Sequence, residues 1–300
     1  MWVLLAIISS LFLGAYDLFK KHALKDNAVV PTLFFATLTE AIILIIVWLL
    51  NKIGLTTGTI FAVPPASLDG HLFIVVKSII VGSSWILAYF AFKHLPVTIA
   101  TPIRSTGPIW TLLGAMFLFS EKLNFQQWVG ILTTILFLYV FSLAGKKEGI
   151  VFRSNQWIFF MFIATLIGAV SGLYDKFLMQ RFHPLTVQVW FSVYLTIIFF
   201  LILLVLWYPQ RQQHTPFRWR MSIAMIGITL TIADFVYFLA LTEKGSLIAI
   251  VSVIRRSSII YSFSLAAIIL KEGNVKRKGL ALAGILAGVI IIALAKLHPH

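Results

Sequence analysis

Three hundred residues, 60% of them apolar and only 11% charged, exclude a water-soluble globular chain, because so few charges cannot cover a surface in contact with water. Twenty-four Lys and Arg against ten Asp and Glu give a formal charge of +14, but most cations fall in short gaps between long apolar runs. There they read as topology signals and lipid-headgroup contacts, not as a nucleic-acid footprint.

Ten stretches are long enough to cross about 30 Å of hydrocarbon as helices of roughly 20 residues. They are 2–20, 30–50, 71–93, 95–119, 125–144, 155–178, 184–207, 218–242, 246–270 and 278–297, with short polar connectors. The first lacks a basic leader and a small-x-small exit, so it reads as a retained span. It ends in Gly14-Ala15-Tyr16-Asp17, and Lys20 and Lys21 follow at the spacing of interfacial charge pairs on Asp17, with gating as the alternative. The second span buries Glu40. The third carries Lys77, near enough to its start to snorkel, then Trp85 and Tyr89. In the fourth, Pro102 and Pro108 bracket Arg104, which predicts a kink or an unwound turn there, either as part of a substrate site or as a kink that a membrane helix tolerates.

In the sixth span Asp175 stands beside Lys176, the eighth holds Asp234 and Tyr237, and the ninth holds Ser252, Arg255, Arg256, Ser257, Ser258 and Tyr261. The serine hydroxyls either meet a ligand or satisfy backbone carbonyls of their own helix. Trp85, Tyr89, Tyr237 and Tyr261 are candidates to line a cavity, against packing or lipid contact. In the last span Gly284-x-x-x-Gly288 allows close approach of another helix, within the bundle or in a homodimer.

The halves repeat. Gly14-Ala15-Tyr16-Asp17 returns as Gly172-Leu173-Tyr174-Asp175, and Ala88-Tyr89-Phe90 as Val236-Tyr237-Phe238. Arg104 and Glu121 return as Arg255 and Glu272, and Gly130-Ile131-Leu132 as Gly284-Ile285-Leu286. The expectation is an all-α polytopic protein of ten transmembrane helices, residues 1–150 forming one five-helix repeat and 151–300 a second. Five being odd, the second repeat enters the membrane inverted. Ser120-Glu121-Lys122-Leu123, followed by Gln126, Gln127 and Gly130, with Lys271-Glu272-Gly273 and Gly284 as its second copy, resembles the repeat signature of the EamA branch of the drug/metabolite transporter superfamily. The resemblance implies a ten-helix inner-membrane carrier of small metabolites with a central cavity; it names no substrate. Glu121 and Glu272 are expected to cap the turns that they close.

Lys77, Arg104, Arg255 and Arg256 are embedded cations and Glu40 and Asp234 the deep acids. At about 2.5–3.5 kcal/mol for each central Arg or Lys, such residues call for a hydrated cavity. The positive excess points to a small anionic substrate, carboxylate or phosphate, gripped by arginine forks from both repeats; permanent pairing of the arginines with Glu40 or Asp234 is the structural alternative. Glu40 and Asp234 are candidates for proton coupling. The reading is a secondary-active carrier with no cofactor and no metal, since the chain has no cysteine, no HExxH and no G-x-x-x-x-G-K-[ST], and it is not an enzyme. A lipid-phosphate flippase and an intramembrane enzyme acting on lipid phosphates are the rivals. A bacterial cytoplasmic membrane is expected, but loop cations, 14 against 6, put the termini outside whereas the resemblance puts them in the cytoplasm.

Overall fold

The computed structural model describes residues 1–95, 103–104, 106–143, 156–213, 215–262 and 275–295. These form ten helices: α1 (Trp2–Leu24), α2 (Val29–Lys52), α3 (Leu68–His94), α4 (Gly107–Leu118), α5 (Phe125–Leu143), α6 (Gln156–Met179), α7 (Pro184–Ile202), α8 (Met221–Thr242), α9 (Ile248–Arg256) and α10 (Val275–Ala295). A π-helical stretch, Leu203–Trp207, prolongs α7. By length and composition α1, α2, α3, α6, α7 and α8 can each cross a membrane, and α4, α5 and α10 are shorter apolar helices. The outer surface is apolar as well, with Ile42, Ile46, Leu132, Leu136 and Leu201 exposed. Such a surface suits acyl chains and not water. The chain is an integral membrane protein.

Local chemistry sets several helix starts. Ser67 accepts the Gly70 N–H at 3.1 Å to cap α3. Pro184 opens α7 and Pro108 sits in the first turn of α4, where a missing N–H costs nothing. Asn124 and Gln127 form a reciprocal capping box at α5, each side chain accepting the other's backbone N–H at 2.8–2.9 Å. This accounts for Gln127 in the recurring signature.

Most packing runs between the repeats, not within them. Helix α1 packs on α8 and α3 on α6; α2 meets α7 and α8; α3 also meets α7; α4 meets α6 and α9; α1 meets α9; and α5 packs on α10. Exchanging the halves, α1 for α6 through α5 for α10, maps this set of pairs onto itself. The α5–α10 pair is seamed by glycine: a side chain at Gly284 would strike Phe137, one at Gly288 would strike Thr134 and the Gly130 carbonyl, and one at Gly130 would strike Ile292. Gly284-x-x-x-Gly288 therefore serves a contact inside the chain.

Two spans depart from continuous helices. In the fourth, Ile103 and Arg104 are helical, Thr106 forms a turn with its N–H on the Ile103 carbonyl at 3.1 Å, and α4 follows from Gly107. The interruption falls at Thr106, after the arginine and not at it, and Pro102 lies outside the described residues. The ninth stops at Arg256 without a proline. Ser257 turns the chain, its hydroxyl donating to the Ile254 carbonyl at 2.6 Å, and 258–262 resume the helix.

Candidate functional site

Between α1, α3, α4, α6, α8 and α9 lies one cavity of about 270 Å³. Its walls bring together Asp17, Lys77, Trp85, Tyr89, Arg104, Asp175, Asp234, Tyr237, Ser252, Arg255 and Arg256, with Tyr16, Lys20 and Ser258. Residues as far apart in sequence as Asp17 and Arg256 thus share one cavity. Five cationic side chains and three carboxylates line it.

The charges form two clusters. At the α6 end every cation has a carboxylate. Lys77 is bound to Asp175, both nearly inaccessible, and the Lys77 ammonium also lies over the Phe191 ring, 4.4 Å from its centre. Arg255 donates to Asp234 at 2.6 Å, and its guanidinium stacks over Tyr237 at 3.8 Å. At the α1 end Lys20 pairs with Asp17 at 2.6 Å, and Arg104 and Arg256 act on the same carboxylate. Three cations thus surround one acid, and Arg104 and Arg256 repel one another. The Tyr16 and Tyr89 hydroxyls meet there at 3.0 Å, with the Lys20 ammonium over the Tyr16 ring.

Several placements correct the expectations. Asp17 and Asp175 both line the cavity, and Asp17 keeps the expected pair with Lys20. Asp175 is paired with Lys77 from α3, so Lys77 does not snorkel, and neighbouring Lys176 points elsewhere: its ammonium donates to the Ser246 carbonyl at 2.8 Å and the Leu241 carbonyl at 3.3 Å, tying down the end of α8. Tyr261 is not part of the lining; its Cβ stands over Gly14, where any side chain on α1 would collide. Glu40 also lies off the cavity, fully buried in α2. Ser257 bonds its own backbone, while Ser252 faces the cavity. Tyr16 and Lys20 are additions to the expected set, and the signal for both was present: Tyr16 sits inside the duplicated Gly-x-Tyr-Asp, and Lys20 is one turn beyond Asp17.

Glu121 does not cap its own turn. It reaches across to the second repeat and accepts the Ile248 and Ala249 N–H groups, at 2.7 and 3.1 Å, capping the start of α9. The positive end of the helix that carries Arg255 and Arg256 is thereby clasped by the first repeat. Burial lifts the Glu121 carboxyl above its ordinary range, against the two backbone donors and Lys176, which favour its charged form. Glu272, its counterpart, lies outside the described residues. No group of three metal-ligating side chains occurs among the described residues.

Two repeats of apolar helices around a charged cavity define a membrane transporter. The sequence matches the EamA-like transporter family over residues 1–143 and 155–294, one match to each half, and the chain belongs to that family, within the drug/metabolite transporter superfamily. A solved crystal structure shares its fold, with a TM-score of 0.77 over 98% of both chains at 15% identity. No curated protein sequence matches the chain.

Proposed function

We propose that this protein is a secondary-active carrier of a small anion, a carboxylate or phosphate, which it moves by alternating access of two inverted five-helix repeats, 1–150 and 151–300, in a bacterial cytoplasmic membrane. The observation that carries the reading is the composition of the cavity wall: among the described residues five cations face three carboxylates, and the surplus gathers at the α1 end around Arg104 and Arg256. A bound anion relieves the repulsion between those guanidiniums and accepts from both of them. The α6 end, already neutral, has little to offer an anion. Inversion of the repeats is supported by the odd number of helices in each half and by the reciprocal packing of α1 on α8 and α6 on α3. The turns at Thr106 and Ser257, each shortly after an arginine of the site, support the reading, since such carriers bind substrate near helix discontinuities. A counter-substrate or a proton supplies the driving force.

Thermal unfolding of the purified protein with inorganic phosphate, succinate or phosphatidic acid tests the reading. Stabilisation grows with occupancy as RT ln(1 + [L]/Kd), so a soluble anion should raise the midpoint in a concentration-dependent way. Stabilisation by phosphatidic acid alone would move the reading to a lipid-phosphate flippase. No stabilisation by any anion, together with no uptake of phosphate or succinate into proteoliposomes, would remove it.

A further inference from the structure

The sequence offers Glu40 and Asp234 as equivalent deep acids, and the structure gives them opposite environments. Asp234 faces the cavity and is neutralised by Arg255. Glu40 lies where α2 meets α7 and α8, at 0% exposure, with no hydrogen-bond partner on either carboxyl oxygen. The contact around it is close: a side chain at Gly227 of α8 would strike the Ala36 carbonyl, Thr39 and the Glu40 amide. Beside the carboxyl is Gln188 of α7, also fully buried. Its Nε2 donates to the Thr231 carbonyl at 2.8 Å and its Oε1 has no donor.

Of the charged groups on the helices around α2, Asp234 of α8 and Lys77 of α3 act on Glu40. Lys77 is committed to Asp175, and Asp17 and Lys20 of α1 face the cavity instead. A carboxylate here would have lost its water, and the amide donor beside it, that of Gln188, is turned to the Thr231 carbonyl, which is heavily unfavourable. A neutral carboxylic acid has one O–H to donate and finds an unmet acceptor, the Gln188 Oε1, in the same contact.

We infer that Glu40 is a proton-binding site built into the α2–α7–α8 contact. It holds its proton as the neutral acid in this conformation and releases it to water when the repeats part at Gly227. Because the contact joins the first repeat to the second, proton occupancy and repeat packing are linked: the neutral acid favours the packed arrangement and hydration favours the charged form. What the proton does during transport rests on the carrier reading; its presence on Glu40 does not.

Infrared spectroscopy of the purified protein in nanodiscs tests this without any substrate. At neutral pH the wild type should show the carbonyl stretch of a buried protonated carboxylic acid. That band should be lost in Glu40→Gln, which is isosteric with the neutral acid and keeps the fold, and retained in Asp234→Asn. A band that survives Glu40→Gln, or is missing from the wild type, overturns the assignment. In Gly227→Ala, where the added methyl forces the helices apart, the band should disappear at a lower pH than in the wild type; an unchanged titration overturns the link to repeat packing. Failure of these tests leaves the anion-carrier reading standing, whereas absence of anion binding and uptake removes that reading and leaves the proton site.

Discussion

The two ends of the cavity descend from the same duplicated Gly-x-Tyr-Asp motif and have diverged in charge. Around Asp175 each cation is matched, Lys77 by Asp175 and Arg255 by Asp234. Around Asp17 one carboxylate stands among Lys20, Arg104 and Arg256. A balanced cluster in a low-dielectric wall holds helices together, and in the carrier proposed above the cation-rich end is where an arriving anion would be met.

That difference can be broken experimentally. The largest effect is expected from Asp175→Asn, which strands the Lys77 ammonium in a wall where it is 3% exposed. Loss of one partner of such a pair costs about 3–5 kcal/mol, read as a fall in the thermal unfolding midpoint, and the double change Lys77→Met with Asp175→Leu should recover most of it. Next comes the α1 end. Arg104→Gln and Arg256→Gln should each weaken anion binding about ten- to hundredfold, the equivalent of about 1.5–3 kcal/mol for hydrogen bonds to a charged group. Arg255→Gln should leave anion binding nearly unchanged and lower stability, because its partner Asp234 is left behind. Equal binding losses at all three arginines would erase the distinction between the ends.

A smaller change is expected at the clasp. Glu121→Gln keeps one acceptor for the start of α9 and loses the other, for about 0.5–1.5 kcal/mol of stability. Since burial raises the Glu121 carboxyl, its contribution to stability is present below the ordinary carboxylate range and fades as pH climbs through the folded value. Glu121→Gln should flatten that part of the stability-against-pH curve. The smallest effect is Tyr16→Phe, which removes one hydroxyl pairing with Tyr89 for about 1 kcal/mol of stability.

Much of this was legible in the sequence, for identifiable reasons. Ten apolar runs fix ten helices because lipid admits no other backbone, and the matched Tyr-Asp, Arg and Glu positions reveal the repeat. The embedded arginines point to a cavity because their insertion into lipid is so unfavourable, and all three line one. What stayed hidden is non-local. Asp175 has a lysine as its chain neighbour and still pairs with Lys77, almost a hundred residues away, because an α-helix points adjacent side chains in different directions. Glu121 closes a motif that reads as a local turn and yet caps a helix of the other repeat. The stop after Arg256 carries no proline; the Ser257 hydroxyl folds back on the Ile254 carbonyl at the turn. Tyr261 follows the arginine helix in sequence, but Gly14 draws it out of the cavity wall and onto α1.

The interlaced packing of the halves bears on how the chain is made. Helices α1 and α3 find their principal partners, α8 and α6, only after the ribosome has passed the middle of the message. Until then Lys77 enters the bilayer without Asp175, and α5 enters without α10, whose Gly284 and Gly288 receive its Phe137 and Thr134. The nascent first half must therefore wait at the translocon, or be shielded by an insertase, until its complement emerges, and the two halves made as separate polypeptides should accumulate only when synthesised together.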